Sequence, residues 1–247
     1  MSEIACPSGL RVDVRGLKGR ELRFFQDKKG ARDGTTLDQI LGACVENVID
    51  PGVYKLNDEG KVSWREVLLG DEFHLFVAIR RATFGEVFSF KVTCPGCGQK
   101  FEWDVNLSEL PIKPLSAEAA ATLKAGKPFE TKLSDGRSVL FRLPTGGDAR
   151  EVMKLKTAEN PMVSMLAQMI IAIGDERDKT KIRRELEEAP LGDLMKLRKL
   201  FDTSDCGVET TIEVKCPEGL IGGVEYDGCG EVTEMTLPLG RTFLLGG

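Results

Sequence analysis

Two cysteine pairs, set far apart in the chain, restrict its folding more than any other feature. The first, Cys94 and Cys97 in "VTCPGCGQKF", spans a Pro-Gly turn. The second, Cys216 and Cys229 in "VKCPEGLIGGVEYDGCGEV", keeps the Cys-Pro and Cys-Gly neighbours but holds ten extra residues between them. Each Cys-x-x-Cys supplies half of a tetrahedral site, so the chain must bring two distant segments together. Four thiolates at about 2.3 Å around Zn²⁺ make a closed structural site with no open position for water. The tight turn aims backbone amides at the thiolates and so holds their charge. The reading is a structural zinc site on Cys94, Cys97, Cys216 and Cys229, with an iron–sulfur cluster or free thiols as alternatives.

The context of the first pair excludes a thioredoxin-like redox role. That role places the first cysteine at a helix N-terminus after a strand. Here "EVFSFKV" and "KFEWDV" flank the pair, both alternating and rich in Val, Phe and Trp, which predicts a β-hairpin with the cysteines at its tip.

The cysteine pairs close a longer internal repeat. Asp71, Gly85 and Cys94 are separated by 14 and 9 positions, and Asp193, Gly207 and Cys216 by the same 14 and 9. The register aligns Gly70 with Gly192, Leu75 with Leu197 and Val92 with Val214. Upstream, "PSGLRVDVRGLKG" matches "SDGRSVLFRLPTG", pairing Gly9 with Gly136, Val12 with Val139, Arg15 with Arg142 and Gly19 with Gly146. The expected fold is therefore α+β and internally duplicated. Residues 1–109 and 127–247 form the two repeats, joined by a linker at 110–126 with one short helix at 117–124. Each repeat reads as a short strand, a helical middle and a cysteine hairpin, and the halves share one zinc-ribbon-like site. The helical middles include "TTLDQILGACVENVI", with Thr35 or Thr36 as cap, and "SWREVLLGDEFHLFVAIRRAT" in the first half. The second half has "DAREVMKLKT", "NPMVSMLAQMIIAI" with Pro161 in the first turn, and "PLGDLMKLRKLFDT".

Bulk composition limits the chemistry. Apolar content of 41% and charged content of 30% fit an ordinary globular protein, and no run approaches the roughly 18 apolar residues of a membrane span. "MSEIACPSGL" lacks the regions of a signal peptide, which predicts a reducing cytosolic setting and cysteines used for metal or core. A net charge of −5 counts against a broad nucleic-acid footprint. The single histidine, His74, lies in the apolar "EFHLFVAI" and reads as core, so neither a Ser-His-Asp triad nor an HExxH site can be built. Cys44 reads as core, and Cys6 and Cys206 as loop residues. "DERDKTKIRRELEEA" reads as a solvated helix face, "GLIGG" as an expanded turn, and "MVSMLAQMI" as core, with a partner groove as the alternative. Nothing in the chain argues for catalysis.

Three segments carry a family resemblance: "PSGLRVDVRGLKGRE", "LLGDEFHLFVAIRRATFGEVFSFKVTCPGCGQKFEWDVNL" and the closing "GVETTIEVKCP…GCGEVTEMTLPLGRTFLL". The chain resembles the baseplate hub assembly proteins of T-even-like bacteriophages and related contractile tails, over nearly its whole length. The resemblance implies a non-enzymatic tail or baseplate protein whose partners are other tail proteins. It places the protein in the host cytoplasm during assembly or in the virion tail. It also implies that Cys94, Cys97, Cys216 and Cys229 are shared structural positions; the split second knuckle departs from the family pattern. The competing reading is a zinc-ribbon nucleic-acid-binding or transcription-associated module, which the acidic charge disfavours.

Overall fold

The computed structural model describes residues 2–154, 160–221, 224–238 and 241–245. Strands β1 (Ser2–Ala5) and β2 (Arg11–Val14) open the chain, followed by helices α1 (Leu22–Gln26), α2 (Lys28–Asp33) and α3 (Thr35–Cys44), then β3 (Val45–Asp50). Helix α4 (Leu69–Phe84) leads into the hairpin β4 (Val87–Thr93) and β5 (Lys100–Asn106). Strand β6 (Ile112–Lys113) and α5 (Ala117–Lys124) precede β7 (Phe129–Lys132), β8 (Ser138–Phe141), α6 (Gly146–Lys154), α7 (Pro161–Met169) and β9 (Ile170–Ile173). Helices α8 (Lys179–Glu187) and α9 (Leu191–Ser204) follow. Then come β10 (Gly207–Val208), β11 (Thr211–Lys215), β12 (Glu218–Ile221), β13 (Val224–Asp227), β14 (Val232–Thr236) and α10 (Arg241–Leu245). The fold is mixed helix and strand, as expected.

Several boundaries differ from the sequence expectation. "VENVI" and "IIAI" are strands, not helix: each helix ends as its chain turns extended at Val45 or Ile170, where β-branched residues favour a pleated surface. The expected single strand of each half is thus the centre of a three-stranded antiparallel sheet, ordered β1-β2-β3 in one and β7-β8-β9 in the other. Gly34, left-handed at φ +77°, caps α3 in place of Thr35 or Thr36, because α2 ends there and only a glycine-like turn lets α3 begin at once. Ser63 to Val67 lie outside the helix that "SWREV" was expected to begin. Pro161 does occupy the first turn of α7, with Asn160 accepting from the Val163 amide. The predicted short helix at 117–124 forms, and Leu110 and Ala119 within 110–126 are buried. The Leu115 amide there donates to Pro7, and β6 pairs with β10. "DAREVMKLKT" extends past α6 into positions outside the described residues.

Each sheet is held by the same two devices. A turn before the central strand carries a glycine at positive φ, Gly9 at +94° and Gly136 at +87°, a backbone form that favours glycine. A buried aspartate at the start of the following long helix accepts from that turn. Asp71 takes the Ser8 amide (3.0 Å) and hydroxyl, and Asp193 takes the Ser134 amide (3.0 Å) and hydroxyl (2.7 Å). At the strand's other end an arginine grips a carboxylate through both terminal guanidinium nitrogens: Arg15 on Glu21, Arg142 on Asp148, each six residues on.

The core divides into two apolar clusters. One joins α3, α4 and the first sheet to Phe88, Phe90, Val92 and Phe101 of the β4–β5 hairpin. The other holds Val139, Phe141, Leu166, Ile170, Ile182 and Phe201. The final hairpin leaves its own half: Val214, Cys216, Leu237, Phe243 and Leu244 pack into the first cluster, with Phe243 edge-on to Phe88 at 4.9 Å.

Polar contacts lock the two clusters together. Arg150, fully buried on α6, reaches Glu72 of α4 at 2.7 Å and Asp38 of α3 at 2.9 Å. Desolvation raises the pKa of Glu72, opposed by Arg150, which therefore offsets part of the cost of burying that charge. Gly70 lies so close to Cys206 that a β-carbon there would stand 1.7 Å from its carbonyl oxygen.

Arg150→Ala strands the buried Glu72 carboxylate and is expected to cost about 3–5 kcal/mol in denaturant unfolding. Arg65→Ala, which removes an exposed pair with Glu151 (3.1 Å), is expected to cost under about 1 kcal/mol. Equal losses at both positions would contradict the role given to Arg150.

Candidate metal centre

The first knuckle grows out of β4 and β5. Phe88, Phe90 and Val92 alternate inward along β4, which fixes the register with β5 and sets Val92 opposite Phe101. At the tip the Cys94 amide donates to Gln99 (2.9 Å) and the Gly98 amide to Cys94 (2.9 Å), with Gly98 at φ +78°. The second knuckle grows out of β11 and β14, where the Cys216 amide donates to Glu231 (2.8 Å) and Gly230 sits at φ +69°. Val92 and Val214 thus occupy the same place, two residues before the first cysteine of a hairpin tip.

The structure brings all four sequence-predicted cysteines together. Their sulfurs lie within 4.8 Å of one another, with Cys94 to Cys229 and Cys97 to Cys216 both at 3.7 Å. A tetrahedron of sulfurs at 2.3 Å from a central ion has edges of about 3.8 Å. Cys94 and Cys216 are buried, while Cys97 and Cys229 face outward. The amides of Cys97 and Gly96 bond the Cys94 sulfur and lower its pKa to about 7. The Glu231 amide favours the Cys229 thiolate, but burial and the three neighbouring thiols outweigh it and push that group up to about 12. Desolvation likewise raises Cys216. Four packed thiols cannot all ionise against one another; a central cation removes that repulsion by displacing their protons. The set of four sulfurs with aimed amides therefore fits a soft tetrahedral ion such as Zn²⁺ or iron.

The ten-residue insertion leaves the second knuckle intact. Strands β12 and β13 pair Glu218 with Asp227 and Gly219 with Tyr226, so the inserted segment leaves and returns at adjacent points. Removing 218–227 on paper leaves Cys216-Pro217-Gly228-Cys229-Gly230, the same five residue types as Cys94 to Gly98. The Cys229 amide still bonds the Cys216 sulfur across the insertion, as the Cys97 amide bonds Cys94. Space requires the glycine at 228, where a β-carbon would meet the Pro217 carbonyl oxygen at 2.0 Å; at Gly96 it would meet only the mobile end of the exposed Glu231 side chain. Of "GLIGG", Gly222 and Gly223 lie outside the described residues.

The other cysteines stand apart from this centre. Cys44 is buried, and burial pushes its thiol up to about 11. Cys6 and Cys206 are irregular in backbone, as expected, yet both are buried beside Asp71, and desolvation raises both thiols. His74 is half-buried on α4, with its pKa lowered by desolvation. The roles of Asp71, Asp193, Glu21 and Asp148 had no assignment in the sequence, although the 14 and 9 spacings singled out the two aspartates.

A family model described as T4 bacteriophage base plate protein matches residues 19–228. No curated protein and no solved structure matches significantly.

The geometry predicts one equivalent of metal per chain in purified protein, measured by elemental analysis. Cys94→Ser is expected to lose it and Cys44→Ser to retain it. Less than about half an equivalent in the unaltered protein would defeat the assignment. Structural zinc contributes on the order of 10 kcal/mol to folding, so chelation should lower the melting temperature sharply.

Proposed function

The chain belongs to the T4 bacteriophage base plate protein family, and on that premise we propose that it is a structural or assembly protein of the baseplate hub, or of a related contractile injection machine. It works by binding other tail proteins, with no turnover of its own, first in the host cytoplasm and then in the virion tail. Cys94, Cys97, Cys216 and Cys229 hold a single structural Zn²⁺. The observation that carries this reading is the meeting of four sulfurs from two distant hairpins within 4.8 Å, in a chain of baseplate family. A four-thiolate centre has no open position to activate water, so its contribution is mechanical. It makes the two hairpins one rigid unit and so lowers the ordering cost when that unit docks. Among the described residues, no helix is long and apolar enough to cross a membrane.

The same reading takes the two halves, residues 1–109 and 127–247 about the connector 110–126, as copies of one ancestral plan. The paired devices support it: glycine turn, serine-to-aspartate bonds, the arginine grip at equal sequence separation, and a hairpin ending in a knuckle. Asp71→Ala and Asp193→Ala each leave a serine amide and hydroxyl unpaired, and Asp71→Ala also the Tyr54 hydroxyl, an expected cost of at least about 1–3 kcal/mol apiece. A loss at only one of the two positions would weigh against equivalent roles.

The inserted β12–β13 hairpin and the outer face of α7, where Met165 is exposed, are the proposed docking surface. Deleting 218–227 recreates the compact knuckle, so metal content should stay at one equivalent. Co-purification with neighbouring tail proteins from infected or co-expressing cells should fall at least tenfold. Recovery of nucleic acid alone, with no tail component even for the unaltered chain, would replace this function with a nucleic-acid-binding one.

A further inference from the structure

Beside the thiol cluster, a groove of about 260 Å³ runs between the two hairpins, along β4 and over the inner face of β14. Lys91 and Thr93 form one wall, and Val214, Thr233, Met235 and Phe101 form the floor. Such a volume falls below the roughly 300–1,000 Å³ of small-molecule pockets.

The backbone along this groove is the informative part. The Cys94 amide bonds Gln99, and the Leu107 amide bonds Glu86 at the other end of the hairpin. Antiparallel ladders alternate bonded and non-bonded pairs, so 88/105, 90/103 and 92/101 are the bonded pairs of this register. The N–H and C=O groups of Ser89, Lys91 and Thr93 consequently point away from β5. Among the described residues no other strand pairs with β4, and no hydrogen bond reaches those outward groups. The floor is unfinished in the same place, since Thr233 and Met235 are only half-buried. A row of unpaired amides beside a half-covered apolar floor is a template for one more strand. A helix, with its backbone groups bonded internally, cannot satisfy that edge.

We infer that the β4 edge, at Ser89, Lys91 and Thr93, receives an extended segment of another tail protein as an added strand, with apolar side chains at alternate positions seated on Thr233 and Met235. This rests on the proposed function for the source of the strand, while the mode of binding comes from the edge itself. Metal at the neighbouring thiols would keep floor and edge at a fixed separation.

The test uses the full chain against an array of about ten-residue peptides tiling the tail proteins encoded alongside it. Lys91→Pro removes one outward donor without touching the β4–β5 ladder, a substitution that edge strands tolerate. Lys91→Ala removes the side chain and keeps the donor. Peptides with alternating apolar residues should bind, lose at least tenfold in affinity to Lys91→Pro, and change less than about twofold with Lys91→Ala. In the unaltered chain the Ser89, Lys91 and Thr93 amides should exchange quickly with solvent deuterium and become protected when a peptide binds. This readout decides the matter even if Lys91→Pro does not fold. Absence of any binding peptide, binding indifferent to the proline in a folded variant, or protection arising from self-association would each overturn the inference. Co-purification of tail proteins that survives Lys91→Pro would overturn strand addition and leave the proposed function standing.

Discussion

Everything in this chain hangs on bringing together sulfurs that are 119 and 135 positions apart in sequence. Closing a loop of that length costs about 4 kcal/mol in chain entropy, and packing four thiols so closely opposes their ionisation. The apolar residues behind the knuckles meet part of that cost. Val92 and Phe101 from one hairpin and Val214 and Leu237 from the other bury each other in a single cluster. A cation at the centre would supply the remainder and make the arrangement stiff.

The hairpins do not meet alone, because the bodies that carry them are fastened by a separate set of contacts. Arg150 enters from α6 and satisfies carboxylates on α3 and α4. Leu69 donates to Pro144, and Gly70 accepts the Cys206–Gly207 backbone at a distance that no larger residue tolerates. These contacts orient α4 and α9, the two helices from which the hairpins spring. The seam and the thiol centre therefore reinforce each other, each reducing the conformational freedom that the other must remove.

The parts legible in the sequence were those with a repeated chemical demand. Cysteines beside Pro and Gly announce a knuckle, alternating Phe and Val announce β4 and β5, and Pro161 after Asn160 announces a helix start. The outer strands of each sheet were missed because β1 is only four residues long, and β3 and β9 follow a helix without a break. An apolar run such as "MIIAI" satisfies either periodicity, and only the partner strand β8 decides between them. The crossing of the last hairpin into the first cluster was also illegible. Val214 and Phe243 are apolar wherever they go, and nothing local names the surface they will cover.

That crossing has a consequence for the order in which the molecule is made. The first cluster contains Phe88 and Val92, but it is completed by Leu237, Phe243 and Leu244, which leave the ribosome long afterwards. The second cluster, from Leu133 to Cys206, needs from earlier residues only Leu68 among its buried members. During vectorial synthesis the first-made half thus waits with part of its apolar surface uncovered while the later half completes its own cluster. A ribosome that stalls shortly before residue 237 would leave a chain whose second half is packed and whose first half remains sticky, a natural substrate for chaperones and proteases.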